Sequence, residues 1–252
     1  MSFIVIVPAR LASTRLPRKP LADIGGVPMV VHVARNAAHS EAQRVVVAAD
    51  SEEIAEACRI HDVECVLTSA EHTTGTDRLA EAIGFLAVAP ETIVVNVQAD
   101  EPLMPPHVVR DVARLLEERD DCEIATAAHA IADATEFFSP DVVKVLVDLR
   151  GRAITFSRAP IPWSRDAFAV TQSALPADLP ALRHVGLYAY RARFLLRFPT
   201  LSRPSIEEHE KLEQLRALAH GIGIAVLHVT AALPQGVDTP VDLQRVRAMI
   251  QD

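Results

Sequence analysis

The chain predicts an α/β fold, a three-layer sandwich around a largely parallel sheet. Three observations carry this. Apolar runs of strand length alternate four times with helical patterns across roughly the first 120 residues. The first such run, FIVIVP at residues 3–8, is continuous rather than alternating, as in a strand covered on both faces. Polar residues collect where the fourth run ends. Strands alternating with helices require crossovers, and crossovers make strands parallel.

The elements follow in order. After the first strand, IGGVP marks a turn, and PMVVHVARNAAHS opens a helix on proline, whose missing N–H is no loss there. RVVVAAD is the second strand and ends in Asp50. SEEIAEACRIH is a helix with Ser51 as N-cap and acids in its first turn. VECVL is a short third strand, and TGTDRLAEAIGFLA turns into a helix capped by Thr74 or Thr76. TIVVNVQADEP is the fourth strand, followed by the helix PPHVVRDVARLLEER.

The character then changes. CEIATAAHAI, VVKVLVDLRGRAITFSR and RHVGLYAYR read as extended, the middle one as a hairpin turned at Arg150 and Gly151. APIPWSRDAFAVTQSALPADLPA is proline-rich and aperiodic, an excursion suited to a lid or a dimer arm. SIEEHEKLEQLRALAHG reads as one helix stopped by Gly221. IGIAVLHV is the last strand, and TPVDLQRVRAMIQD a closing helix with Thr239 or Asp238 at its cap.

With 252 residues, half of them hydrophobic, the chain can bury a sizeable core. A net charge of -8 argues against a broad nucleic-acid or acidic-membrane surface. Cys58, Cys65 and Cys122 are too few and scattered for a disulfide framework or zinc cluster, and each reads as a small buried hydrophobe. There is no basic leader with an apolar stretch, and no run of 18 uncharged apolar residues, so the expectation is a cytoplasmic protein without membrane insertion.

Against that acidic background one segment stands out. VPARLASTRLPRKPLADIGG carries Arg10, Arg15, Arg18 and Lys19, the last being one of only three lysines in the chain. The segment leaves strand one at its carboxyl end, where ligands gather in open α/β sheets. Arg10, Arg15 and Lys19 there can converge on a phosphate chain; Arg18 equally suits solvent. Neither a Walker A nor a GxGxxG pattern is present. VQADEP places Gln98, Asp100 and Glu101 at the end of strand four. A carboxylate beside a phosphate loop makes sense if a hard divalent cation joins them, and Asp100 is the candidate. Asp238 is a second candidate, and equally an ordinary helix cap. TGTDR sits at the same edge, where a helix-capping motif alone explains most of it and Arg78 can equally reach a ligand. His184, Gly186, Tyr188 and Tyr190 share one strand face, fitting a sugar or carboxylate ligand or a satisfied core histidine.

PARLASTRLPRKPLADIGGVPMV resembles the N-terminal signature of the 3-deoxy-manno-octulosonate cytidylyltransferase family. TGTDRLAEA, IVVNVQADEP, VKVLVD, FSRAPIPW, RHVGLYAYR, LEQLR and GVDTPVDLQRVR continue the resemblance in the family's order. It implies a Rossmann-like nucleotidyltransferase sandwich with a smaller mixed-sheet region that binds sugar acid and forms a homodimer. The single domain, 1–252, would divide into a nucleotide core (1–120), a sugar-acid and dimerisation region (121–220) and a return to the core (221–252). The implied reaction joins CTP to the sugar acid KDO with magnesium, giving CMP-KDO and pyrophosphate for lipopolysaccharide synthesis. By similarity, Ala9, Arg10, Ser13, Arg15, Lys19 and Gln98 bind CTP, and Asp100 and Asp238 hold magnesium. Lys19, Arg15, Asp100 and Asp238 are then the catalytic set. Arg78, Arg158, His184, Tyr188, Glu213 and Gln214 match the sugar-acid side. A close analogue such as 8-amino-KDO is the alternative substrate. Two residues depart from the family pattern: Arg18 and Ala99 stand where glycine is usual. If position 18 needs a positive φ, Arg18 is strained by roughly 1 kcal/mol.

Overall fold

A computed structural model describes residues 2–13, 15–72 and 74–250. Strand β1 (Phe3–Ala9) shows why its run is continuous. Phe3, Val5, Val7 and Ala9 enter one core cluster, while Ile4 and Ile6 enter another on the opposite face. A small hairpin, β2 (Asp23–Ile24) and β3 (Val27–Pro28), leads into α1 (Met29–Ala38). Next come β4 (Arg44–Ala49), α2 (Glu52–Ile60), β5 (Cys65–Leu67), α3 (Gly75–Phe85), β6 (Ile93–Asn96) and α4 (Pro106–Glu117). Ser51 caps α2 by accepting from Ile54 N, and of the two candidate threonines it is Thr74 that caps α3, accepting from Asp77 N.

The second half supplies β7 (Ile124–Ala130), α5 (Ala134–Phe138), β8 (Lys144–Val147) and β9 (Ala153–Ser157). Strands β8 and β9 form the expected hairpin, turning through Gly151 at φ 77°. The proline-rich excursion contains a short helix, α6 (Arg165–Val170), whose Phe168 packs with Phe137, Phe138 and Trp163 in a satellite cluster. Then follow β10 (Leu182–Arg191), α7 (Ala192–Arg197), α8 (Ser205–Glu210), α9 (Gln214–Ala219), β11 (Ile224–Val229) and α10 (Pro240–Ile250).

The main sheet runs β11-β7-β10-β6-β1-β4-β5, with β8 and β9 continuing from β10. Strands β6, β1, β4 and β5 are parallel; β10 is antiparallel to both β6 and β7. Helices α1, α2 and α4 cover one face and α3, α7 and α9 the other, giving the three layers expected. Chain order reverses direction at β1, with β4 on one side and β6 on the other. The crevice beyond their carboxyl ends is the switch point where such sheets bind ligands.

Two readings are corrected. Residues 205–221 are not one helix: Lys211 adopts φ 54°, ψ 46° and separates α8 from α9. The break lets Glu210 turn to Ser157 and Arg158, and Glu213 to Thr76. It is held by Arg216, which is buried, bonds Glu207 at 2.5 and 2.8 Å and lies over the Phe198 ring. Losing either partner of such a pair leaves a buried charge, at about 3–5 kcal/mol. Second, Cys65 is only half-buried, although Cys58 and Cys122 are buried as expected.

Candidate active site

The segment after β1 leaves the sheet beside the ends of β4 and β6. Asp50, just past β4, accepts Leu11 N at 2.9 Å and fixes the departure angle. Buried Arg78 lies next to it: Nη1 donates to Thr68 Oγ1 at 2.6 Å and to Ser69 O, and Nη2 is 3.8 Å from Asp50. Burial lowers the Arg78 pKa from its ordinary value, with Asp50 opposing.

Above this floor opens a cavity of about 750 Å³. Arg10, Ser13, Arg15 and Lys19 line it from the first loop, and Gln98 and Asp100 from the loop after β6. The cations predicted for a phosphate chain and the carboxylate predicted for a cation therefore share one space. Lys19 Nζ is 2.5 Å from Asp100 and 3.0 Å from Asp238, and Arg15 Nη2 is 3.1 Å from Asp238. Burial works against the Lys19 charge, but Asp100 and then Asp238 outweigh it and raise the pKa. Asp238 is thus no mere helix cap. That task falls to Thr239, whose Oγ1 accepts Asp242 N while Asp242 accepts Thr239 N in return. Ala9 is fully buried at the end of β1, and Thr14 lies outside the described residues.

On the far side of Gln98, Gly75 and Glu213, which line both spaces, a second cavity of about 200 Å³ reaches Tyr188 and Gln214. A third, of about 250 Å³, shares Tyr188 and Gln214 and adds His184 and Arg183. His184 Nε2 is 3.0 Å from Thr126 Oγ1, which also lies 2.8 Å from Leu187 O and 3.1 Å from Val185 O. Burial pushes the His184 pKa down to about 3, so its ring is neutral near pH 7. Burial also raises the Glu213 carboxyl, whose Oε2 accepts from Thr76 Oγ1 at 2.7 Å.

The sugar-side set is therefore distributed. Tyr188, His184, Gln214 and Glu213 gather around the smaller cavities, whereas Arg78 lies under the larger one. Arg158 is tied to carbonyls, with Nε donating to Glu210 O at 2.8 Å and Nη1 to Pro140 O at 3.0 Å. Sequence reasoning passed over His72, which lines the large cavity and is held by Glu81 at 2.6 Å. A histidine with no second ligand-type residue at metal spacing offered no signal.

The Cytidylyltransferase family model matches residues 4–224, most of the chain. The chain belongs to the cytidylyltransferase family. Within it, a 3-deoxy-manno-octulosonate cytidylyltransferase from Methylibium petroleiphilum is 57% identical over 255 residues, covering 100% of this chain and 96% of that relative. The solved structure of a CMP:2-keto-3-deoxy-manno-octonic acid synthetase complexed with CTP superposes with a TM-score of 0.90 at 37% identity, covering 100% of this chain and 99% of the other. A 4-diphosphocytidyl-2C-methyl-D-erythritol synthase, 15% identical with a TM-score of 0.61, covers 99% of this chain and 98% of its own and shares the fold alone.

This cytidylyltransferase carries both departures without disturbing the large cavity. Arg18 has φ 57°, ψ 32°, so the condition for strain is met. Its guanidinium turns outward to pair with Glu53, both half-exposed or more. Arg18→Gly would relieve about 1–2 kcal/mol. Against this stand about 0.5–1 kcal/mol of added chain entropy and up to about 1 kcal/mol for the surface pair. These nearly cancel, so the expected outcome is a stability change under about 1 kcal/mol by urea unfolding, with unchanged turnover. Ala99 lines the large cavity and packs its methyl against the core.

Proposed function

We propose that this chain transfers CMP from CTP to the anomeric 2-hydroxyl of 3-deoxy-D-manno-octulosonate (KDO), releasing pyrophosphate. The observation that carries the reading is the junction of the two cavities. A space lined by Arg10, Arg15 and Lys19 suits a triphosphate, and it meets, at Gln98 and Glu213, a smaller space lined by Tyr188 and Gln214. Donor and acceptor would be held side by side.

Both reactants are anionic, so charge must be cancelled before they approach. Arg10 and Arg15 present planar forks to phosphate oxygens, and Lys19 neutralises charge that grows on the departing pyrophosphate. The sugar hydroxyl oxygen bonds to the α-phosphorus as the bond to the β-phosphate breaks, and the hydroxyl proton passes to solvent. His184 is too weak a base at neutral pH to take that proton.

Asp100 and Asp238 suit a magnesium ion. They come from separate loops yet reach the same nitrogen, so the pair is already built around a positive charge. Among the described residues no three His, Cys, Asp or Glu side chains gather into a metal site, so the remaining ligands would be phosphate and water, the ordinary arrangement for magnesium. When bound, the ion supplies Lewis-acid polarisation of the phosphoryl group.

The reading extends to a homodimer, supported by exposed Ile154, Trp163 and Val170 in the region assigned to it. It also extends to lipopolysaccharide synthesis in the cytoplasm, a compartment that free Cys58, Cys65 and Cys122 fit. Among the described residues no helix is long and apolar enough to cross a membrane.

The test is pyrophosphate release with CTP, magnesium and KDO, against UTP and sialic acid. Release confined to CTP with KDO is expected. Equal release with UTP, or release with sialic acid and none with KDO, overturns the reading.

A further inference from the structure

The smaller cavity beside the nucleotide space holds an unusual pair. Asn96, the last residue of β6, and Gln214, the first of α9, line it from the sheet and from the helix layer packed on it, and are 3% and 8% exposed. Asn96 Oδ1 and Gln214 Nε2 are buried, and neither has a hydrogen-bond partner. They are the two such side-chain atoms among the described residues. Buried polar atoms are nearly always paired, so two orphans on one cavity call for an explanation. Packing does not supply it, since an apolar side chain at either place would remove the unmet demand.

The two orphans are complementary: one needs a donor and the other an acceptor. A hydroxyl is both and satisfies the pair at once. An ammonium has donors only, so it serves Asn96 and turns a hydrogen toward the Gln214 amide. A methylene serves neither. Two charges face the same space. The Glu213 carboxylate would favour a cation, but its Oε2 is taken by Thr76, and burial raises its pKa. Lys211 lines the cavity as well and opposes a second cation.

We propose that Asn96, with Gln214, reads a single hydroxyl of the acceptor sugar acid and selects it over the same acid bearing an ammonium or a hydrogen there. This rests on the reading of the chain as a sugar-acid cytidylyltransferase, and it adds Asn96 as a specificity-determining residue. The selection matters for the choice between KDO and amino analogues, because replacing one hydroxyl is the whole difference between them.

The experiment pairs substrate-free thermal unfolding with pyrophosphate-release kinetics for the full-length protein, its Asn96→Leu variant and its Gln214→Met variant. The acceptors are KDO and analogues with one hydroxyl replaced by hydrogen or ammonium. In the unaltered protein, one replaced position is expected to lower kcat/KM by about a hundredfold, the scale for a site left with unpaired polar groups. Asn96→Leu is expected to lower kcat/KM for KDO by a similar factor, leave KM for CTP unchanged and erase discrimination at that one position. Its unfolding midpoint should not fall, because the variant deletes an orphan and not a bonded group. Gln214→Met should behave alike. Wild-type KDO kinetics in both variants overturns the proposal alone. So does a lowered midpoint with CTP and KDO parameters impaired together, the signature of a structural role. Absence of turnover by the unaltered protein with every acid in the panel overturns the functional reading, and this proposal with it.

Discussion

Asp100→Ala is expected to reduce pyrophosphate release by about a thousandfold, the upper range for deleting one preorganised electrostatic contact. Its carboxylate holds Lys19 Nζ at 2.5 Å, and with Asp238 it converges on the one point proposed above for a divalent ion, neither of which alanine can do. The fold should survive. The Asp100 carbonyl, which accepts Val237 N at 2.8 Å, is backbone and remains. The side chain is about one-third exposed, so the lost pair costs about 1 kcal/mol or less of stability. Steady-state kinetics across a magnesium titration, with circular dichroism on the same samples, provide the check. Near-normal turnover at saturating magnesium would remove Asp100 from the site.

The parts of the fold legible in the sequence were those decided by local pattern. The run at the start of the chain reads as a doubly covered strand because its alternate residues enter two different cores. The loop that follows it, and VQADEP at the end of β6, could be joined because parallel strands deliver their carboxyl ends to one edge. What escaped was decided by partners far along the chain. Residues 205–221 keep helical spacing through Leu212 and Leu215, so nothing local announces the break at Lys211. The break comes from Glu210 meeting Ser157 and Arg158 on β9 and its exit, and from Glu213 meeting Thr76 on α3. Arg78 was legible as a residue able to reach a ligand from the capped start of α3, but its burial at the floor of the large cavity follows from Asp50 and Thr68, contributed by other strand ends. Asn96 offered a faint signal, a single amide closing an otherwise apolar strand, but its lack of a partner is a property of the folded cavity.

Lys19→Ala is expected to lower kcat/KM for CTP by about a hundredfold, or about 3 kcal/mol of transition-state stabilisation, while KM for KDO stays near its original value. The asymmetry follows from position: Lys19 lines the large cavity and is absent from the lining of both smaller ones. Stability should fall by less, about 1–2 kcal/mol, because the lysine is mostly covered but its carboxylate partners keep access to water. The pH dependence has a definite sign. The Lys19 pKa is raised above 10.5 in the folded protein, so its stabilising contribution is complete below that value and fades only as pH climbs through the higher folded value. Across the neutral range the ammonium is therefore charged in folded and unfolded chains alike, and the activity lost in Lys19→Ala should persist at both pH 6.5 and pH 8.5. CTP saturation curves at both pH values decide the matter. A deficit that vanishes at one of them, or that appears in the KDO curve instead, would place Lys19 outside the triphosphate site.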